Sequence, residues 1–326
     1  MKKLYGLLLI LALALFLAAC GSSDDGDTAE DANDADTAEE TDGADSSEEG
    51  EGLIPDTLVM GFVPSQDSDT IAETVEPLAE RLSEELGVPV QGNVMTNYNA
   101  LVEAMGANQV HIGFIPAFGY VLAKEQYDVE VILKSIRDGS GTYKAQYIVR
   151  ADSGIESLED LEGKIWAYGD QGSTSGYLFP ASQLMEEFGY ETAAELESDF
   201  FGGTLQTGGH DNSAIAVLEG DADVATTFDD ARTVIVEDYP EAMDELVVLG
   251  YTEEIPNDTI SVTKELDDEL VQQIKEVFLS FNDDEEMIKI MNEVYNWDAI
   301  DEATDEEYQV VKETYERFKD NITLDN

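Results

Sequence analysis

The chain is 326 residues long and sets 73 Asp and Glu against 16 Lys and Arg, a formal net charge of −57. Such a surface repels nucleic acid and anionic lipid, excluding recognition of either through charge, and suits a protein soluble in concentrated salt. A single cysteine excludes an internal disulfide, and two histidines leave no His/Cys cluster for a transition metal.

The chain opens MKKLYGLLLILALALFLAAC. Lys2 and Lys3 precede an apolar run, 7–17, that is short for a membrane span. Leu17, Ala18 and Ala19 then stand before the lone Cys20. The arrangement resembles the lipobox of bacterial lipoproteins. It implies a signal peptide over 1–19 and a lipid anchor on Cys20, holding the protein outside the cell membrane. Residues 21–52 carry fourteen carboxylates, no Lys or Arg, and nothing larger than Glu. They bury too little apolar surface to offset ordering entropy, so 20–52 is expected to be a disordered acidic tether.

The body begins with DTLVMGFVPS (56–65), a buried strand ending in a turn. A helix spaced for one apolar face follows and stops at Gly87. VPVQGNVM, NYNALVEAMGAN and QVHIGFIP then read as strand, helix and strand, the alternation of a mostly parallel sheet. YDVEVILKSI and YKAQYIVR read as a pair of edge or crossing strands.

The alternation restarts after Ser153. A short helix leads to the strand around 165–168, and GYLFPASQLMEEFG is a helix that Pro180 forces to start late or bend. SDFFGGTLQTGG, ADVATTFD and ELVVLGYT are strands, and DNSAIAVLEG is a helix. The tail from 267 to 318 reads as mainly helical. Two successive α/β halves predict two lobes facing a cleft: 53–145 with 250–326, and 146–249.

Ser173, Thr174, Ser175 and Gly176 stand between a strand and a helix. Ligands of open α/β sheets bind in the crevice at the carboxyl ends of strands. A helix start there offers unpaired N–H groups that suit an oxyanion, although plain N-capping by Ser or Thr explains the same residues.

GSTSGYLFP, TGGHDNSAIAVLEGDADVA and IPNDTISV, with the opening of the first half, resemble the solute-binding proteins of ABC importers for phosphonate, phosphite and phosphate. The resemblance covers roughly 56–265. It implies the two-lobed type II periplasmic-binding-protein fold, α/β in class, with a hinge cleft and a helical C-terminal region. It also implies a tetrahedral phosphorus oxyanion as ligand, a permease and ATPase as partners, and a monomer. Neither cofactor nor metal is expected.

By the same resemblance, Ser173, Thr174 and Ser175 hold oxygens of the ligand, His210 donates through Nε2–H, and Tyr98 closes from the first lobe. Asp258 would accept a proton from a phosphate-like acid, or pair with the ammonium of an aminoalkylphosphonate. Asp229 and Asp230 are alternative partners for that ammonium, with a solvated pair beside Arg232 as the competing reading. Phe118 and Tyr120 replace a more common turn and are expected to reshape the first-lobe wall. His111 reads as structural.

No nucleophile elbow, P-loop or H-E-x-x-H motif is present, so an enzyme is not expected. The alternatives are a ligand-presenting subunit for a membrane histidine kinase and a binder of another small anion such as a sulfonate.

Overall fold

The computed structural model describes residues 52–319. The expected signal peptide, Cys20 and nearly all of the tether lie outside the described residues.

The first half builds as its periodicity predicts. Strand β1 (Leu58–Phe62) is flanked by β2 (Val90–Val94) and β3 (Ile112–Ile115), both parallel to it. Between them runs α1 (Ser68–Leu86), capped by Asp67 accepting from the Thr70 N–H at 2.8 Å and closed by Gly87 at φ 68°. Ile71, Val75, Leu78 and Leu82 repeat at helical spacing and are all buried. A second helix, α2 (Tyr98–Gly106), precedes β3, and α3 (Ala117–Tyr127) follows it. Strand β4 (Glu130–Ile136) completes this half, and the chain then crosses to another sheet.

The second sheet contains β5 (Thr142–Arg150), β6 (Ile165–Tyr168), β7 (Gly203–Gln206), β8 (Val224–Phe228) and β9 (Leu246–Pro256), in the order β7-β6-β8-β5-β9. After β9 the chain returns. Strand β10 (Thr259–Val262) inserts between β3 and β4, and β11 (Ala299–Glu302) lies outside β4. The first sheet therefore reads β11-β4-β10-β3-β1-β2. Phe62 stacks on Phe114 at 4.3 Å in its core. Trp166 anchors the second core, stacked between Tyr177 and Phe201, with its indole N–H donated to Thr226 Oγ1 at 2.8 Å.

Three sequence expectations change. The sheets are mixed rather than mostly parallel, because β5 runs antiparallel to β8 and β9, and β10 and β11 return to the first sheet antiparallel to the strands beside them. The strands read as a pair, β4 and β5, sit in different sheets, with the crossing at 137–141 between them. The tail holds β11 among its helices.

The two crossings, 137–141 and 257–258, lie side by side. Asn257 Nδ2 donates to the Ser135 and Ser140 carbonyls at 2.9 and 2.8 Å, and the Asn257 N–H donates to Gly141 O at 3.0 Å. The helix Gln309–Phe318 packs against both α3 and α4 (Phe179–Phe188), and so spans the two halves.

Candidate functional site

Pro180 shapes the turn that carries the hydroxyl run. It lies in the first turn of α4, where its missing N–H costs little. The preceding residues, Thr174–Leu178, wind as one wide π turn, with the Tyr177 and Leu178 N–H groups both donated to Ser173 O at 3.1 Å. The carbonyl that residue 180 would have served is that of Gly176; it accepts the Thr226 hydroxyl instead. Ser173 caps the turn, its Oγ accepting the Gly176 N–H at 3.0 Å. Among the described residues nothing accepts from the N–H groups of Thr174 and Ser175. This is the unpaired start of a helical turn.

Beside this turn lies a small cavity of about 20 Å³. Ser173, Ser175 and His210 line it from the second half, and Tyr98 lines it from the first. Arg137 and Asp258, one on each crossing, are its charged residues, and Ser65 and Gln66 add polar groups from the first half. Phe114, Phe228, Tyr143 and Tyr295 form aromatic walls.

His210 opens the helix His210–Glu219, and its N–H is donated across the cleft to Ser65 O at 3.0 Å. Its ring sits edge-on to Phe228, with Nε2 3.4 Å from Ser173 Oγ. Nδ1 is buried with no partner. A neutral imidazole donates from one nitrogen and accepts on the other, so the expected Nε2–H bond to a ligand competes with the contact Nε2 makes to Ser173 Oγ. Burial first, and then Arg137, push the imidazole down to about 3, so it is neutral at ordinary pH.

Tyr98 is buried at the first position of α2, and its backbone N–H is held by Asp170. Burial, and then the charges of Asp170 and Asp258, raise its phenol far above the usual range, leaving it a proton donor. Tyr143 reaches Ser175, and burial keeps it protonated as well.

Arg137 was not foreseen from the sequence. Its Nη2 donates to Asp258 Oδ2 at 2.8 Å, and its guanidinium lies over the rings of Tyr143 and Phe228 at 5.4 and 5.5 Å. Its Nε is buried without a partner. Burial raises the Asp258 carboxyl, and Arg137 pulls it back.

Four expected residues stand elsewhere. Thr174 does not line the cavity; its Oγ1 accepts the Phe118 N–H at 2.9 Å and ties the two halves together. Tyr120 turns away to donate to Asp305 Oδ1 at 2.6 Å. Asp229 and Asp230 follow β8 in a tight turn, Asp230 at φ 59°, and neither lines the cavity; burial still raises the Asp229 carboxyl, and the nearby Arg137 pulls it back. Asp230 pairs with Arg232 at 3.0 Å. His111 accepts the Val59 N–H on Nδ1 at 3.0 Å, away from the cavity.

The chain was compared with known proteins. Residues 60–308 match the family described as ABC transporter, phosphonate, periplasmic substrate-binding protein. The phosphate-import protein PhnD of Mycolicibacterium smegmatis is 31% identical over 180 residues, 54% of this chain and 56% of that protein. The phosphonates-binding periplasmic protein of Escherichia coli is 27% identical over 231 residues, 69% of this chain and 66% of its own. The chain thus spans less than two thirds of either relative. Among solved structures, PhnD1 from Prochlorococcus marinus in complex with methylphosphonate superposes with a TM-score of 0.70 at 20% identity, covering 81% of this chain and 98% of that one. A binding protein component of an ABC phosphonate transporter from Pseudomonas aeruginosa gives 0.71 at 22% identity, covering 79% and 85%. At these identities the structures establish the fold, the two-lobed arrangement expected from the sequence. The matched family consists of transport binding proteins, not enzymes. The chain belongs to the periplasmic substrate-binding proteins of phosphonate ABC transporters.

Proposed function

We propose that the protein is the extracytoplasmic binding component of an ABC importer, taking up a tetrahedral phosphorus oxyanion and delivering it to a membrane permease and its ATPase. Phosphonate, phosphite and phosphate are the ligand class. Ser173, Ser175, His210, Tyr98 and Arg137 would hold the oxygens, with the free N–H groups of Thr174 and Ser175 beside them. Asp258 would orient Arg137. One observation carries the reading: polar side chains from both halves line one cavity, and two buried nitrogens of its lining residues, His210 Nδ1 and Arg137 Nε, have no protein partner. Buried donors are left unpaired only at a cost, which an oxyanion removes.

The remaining parts of the proposal concern the chain outside the cavity. Residues 1–19 serve as a signal peptide, and Cys20 carries the lipid that ties a monomer to the membrane through the acidic tether 20–52. The lobes, expected from the sequence at 53–145 with 250–326 and at 146–249 but parted by the sheets at 137–141 and 257–258, would close on the ligand about these two crossings. No helix among the described residues is long and apolar enough to cross a membrane. The matched family is one of importer components, which speaks against the kinase-sensor alternative.

Isothermal titration of the purified full chain with phosphate, phosphite, methylphosphonate and sulfate tests the proposal. Binding of a phosphorus ligand is expected, weakened ~10- to 100-fold in Ser175→Ala by loss of one hydrogen bond to a charged group. Heat from sulfate alone, or from none of the four, would overturn it.

A further inference from the structure

We infer that the site accepts a compact oxyanion and rejects one bearing an amino group, and that Arg137 enforces the choice; the inference rests on the function proposed above. The sequence left two sources of negative charge for an ammonium, Asp258 and the pair Asp229 and Asp230. The geometry removes both.

Asp258 is the one carboxylate lining the cavity among the described residues. It is taken: Arg137 Nη2 sits 2.8 Å from Oδ2, with both side chains 14% exposed. The pair therefore meets the ligand with no net charge, and Arg137 keeps its other N–H groups for oxygens. Asp229 and Asp230 lie outside the lining; Asp229 is held by Arg137 as well, and Arg232 already neutralises Asp230. What remains for a substituent on phosphorus is the apolar wall of Val63, Phe114, Pro116 and Phe228, with Ser65 and Gln66 as its uncharged polar neighbours. An ammonium placed there would lose its hydration, find no free carboxylate for its three N–H donors, and approach the guanidinium of Arg137. A hydrogen, hydroxyl or methyl group loses nothing comparable, and it suits a cavity of about 20 Å³. Specificity of this kind comes from a repulsive element as much as from an attractive one.

The test pairs 2-aminoethylphosphonate with n-propylphosphonate, which has the same length without the charge, and with methylphosphonate as the compact reference. Titration calorimetry of the full wild-type chain is expected to show methylphosphonate binding tightest and the amino compound at least ~10-fold weaker than its propyl counterpart. Arg137→Met frees Asp258 and should narrow or reverse the amino-to-propyl ratio, whereas Arg137→Lys should preserve it. Equal or tighter binding of the amino compound by the wild type overturns the inference, whatever the variants do. If the wild type binds none of the three phosphonates and no phosphate or phosphite, the oxyanion function itself falls, and this inference falls with it. That result is distinct from binding all of them without discrimination.

Discussion

At the scale of single residues, His210 makes the most exposed claim. Its imidazole is held down to about 3 by burial and by Arg137, against about 6.5 in an unfolded chain. Between these values the unfolded chain binds a proton that the folded protein does not. Stability therefore rises with pH through this window; the residue's contribution is complete above about pH 6.5 and is lost as pH falls toward 3. The slope inside the window is about 1.4 kcal/mol per pH unit. Urea midpoints of His210→Gln, subtracted from wild type at matched pH, should show the wild type losing more stability between about pH 6 and 4. Parallel curves would mean that the imidazole is hydrated in the folded protein. Local sequence carried only the helix start at the hydroxyl run; His210, Tyr98 and Asp258 came from the family resemblance, and with Ser173 and Ser175 they line one cavity. Arg137 came from neither, since KSIRDGSG reads as a polar turn whose arginine belongs in water. Its signal was scarcity: a chain with 16 cations places one in a short connector between two apolar strands.

At the scale of elements, Thr174 shows how a ligand motif can serve closure instead. Its hydroxyl accepts the buried Phe118 N–H from the other half, and this bond exists only while the halves are together. Thr174→Val should leave the fold's thermal midpoint nearly unchanged when measured without ligand. It should weaken ligand binding by about 1–3 kcal/mol, the cost of one buried unpaired N–H, although residue 174 does not line the cavity. Calorimetry gives the second quantity and a melting curve the first; unchanged affinity would remove Thr174 from closure. Helices such as α1 were readable at both ends because Asp67 and Gly87 are capping residues with a local physical role. Strands β10 and β11 were not. Each is four residues long, one set among the polar turns of a crossing and the other acidic, and each is a strand only because β4 offers it a hydrogen-bonding edge. Long-range pairing of this kind leaves no periodicity in so short a segment.

At the scale of the whole molecule, charge and function oppose each other. On the proposed function, a body inside a formal charge of −57 would have to draw in an anion. The cavity answers locally, with hydroxyls, backbone N–H groups and an arginine whose charge is already matched by Asp258. Approach is another matter, because distant carboxylates act on a ligand still in solvent. At about 0.01 M salt their field reaches ~30 Å, and at about 1 M only ~3 Å. Association with methylphosphonate, followed by stopped flow over the salt range in which circular dichroism is constant, should quicken as salt rises. A rate that is flat or falls would show that the surface charge does not govern entry.

The crossings at 137–141 and 257–258 have a mechanical consequence. When two arms swing about a fulcrum, points near the fulcrum barely travel while the tips sweep widely. Arg137 and Asp258 stand at the fulcrum, stapled there by Asn257, whereas the bond between Thr174 and Phe118 spans the arms. If the arms part as proposed, the part of the cavity that meets charge would stay assembled, and only the enclosing contacts would wait for the swing. Catching the ligand and locking it in would then be two acts, performed by different residues in that order.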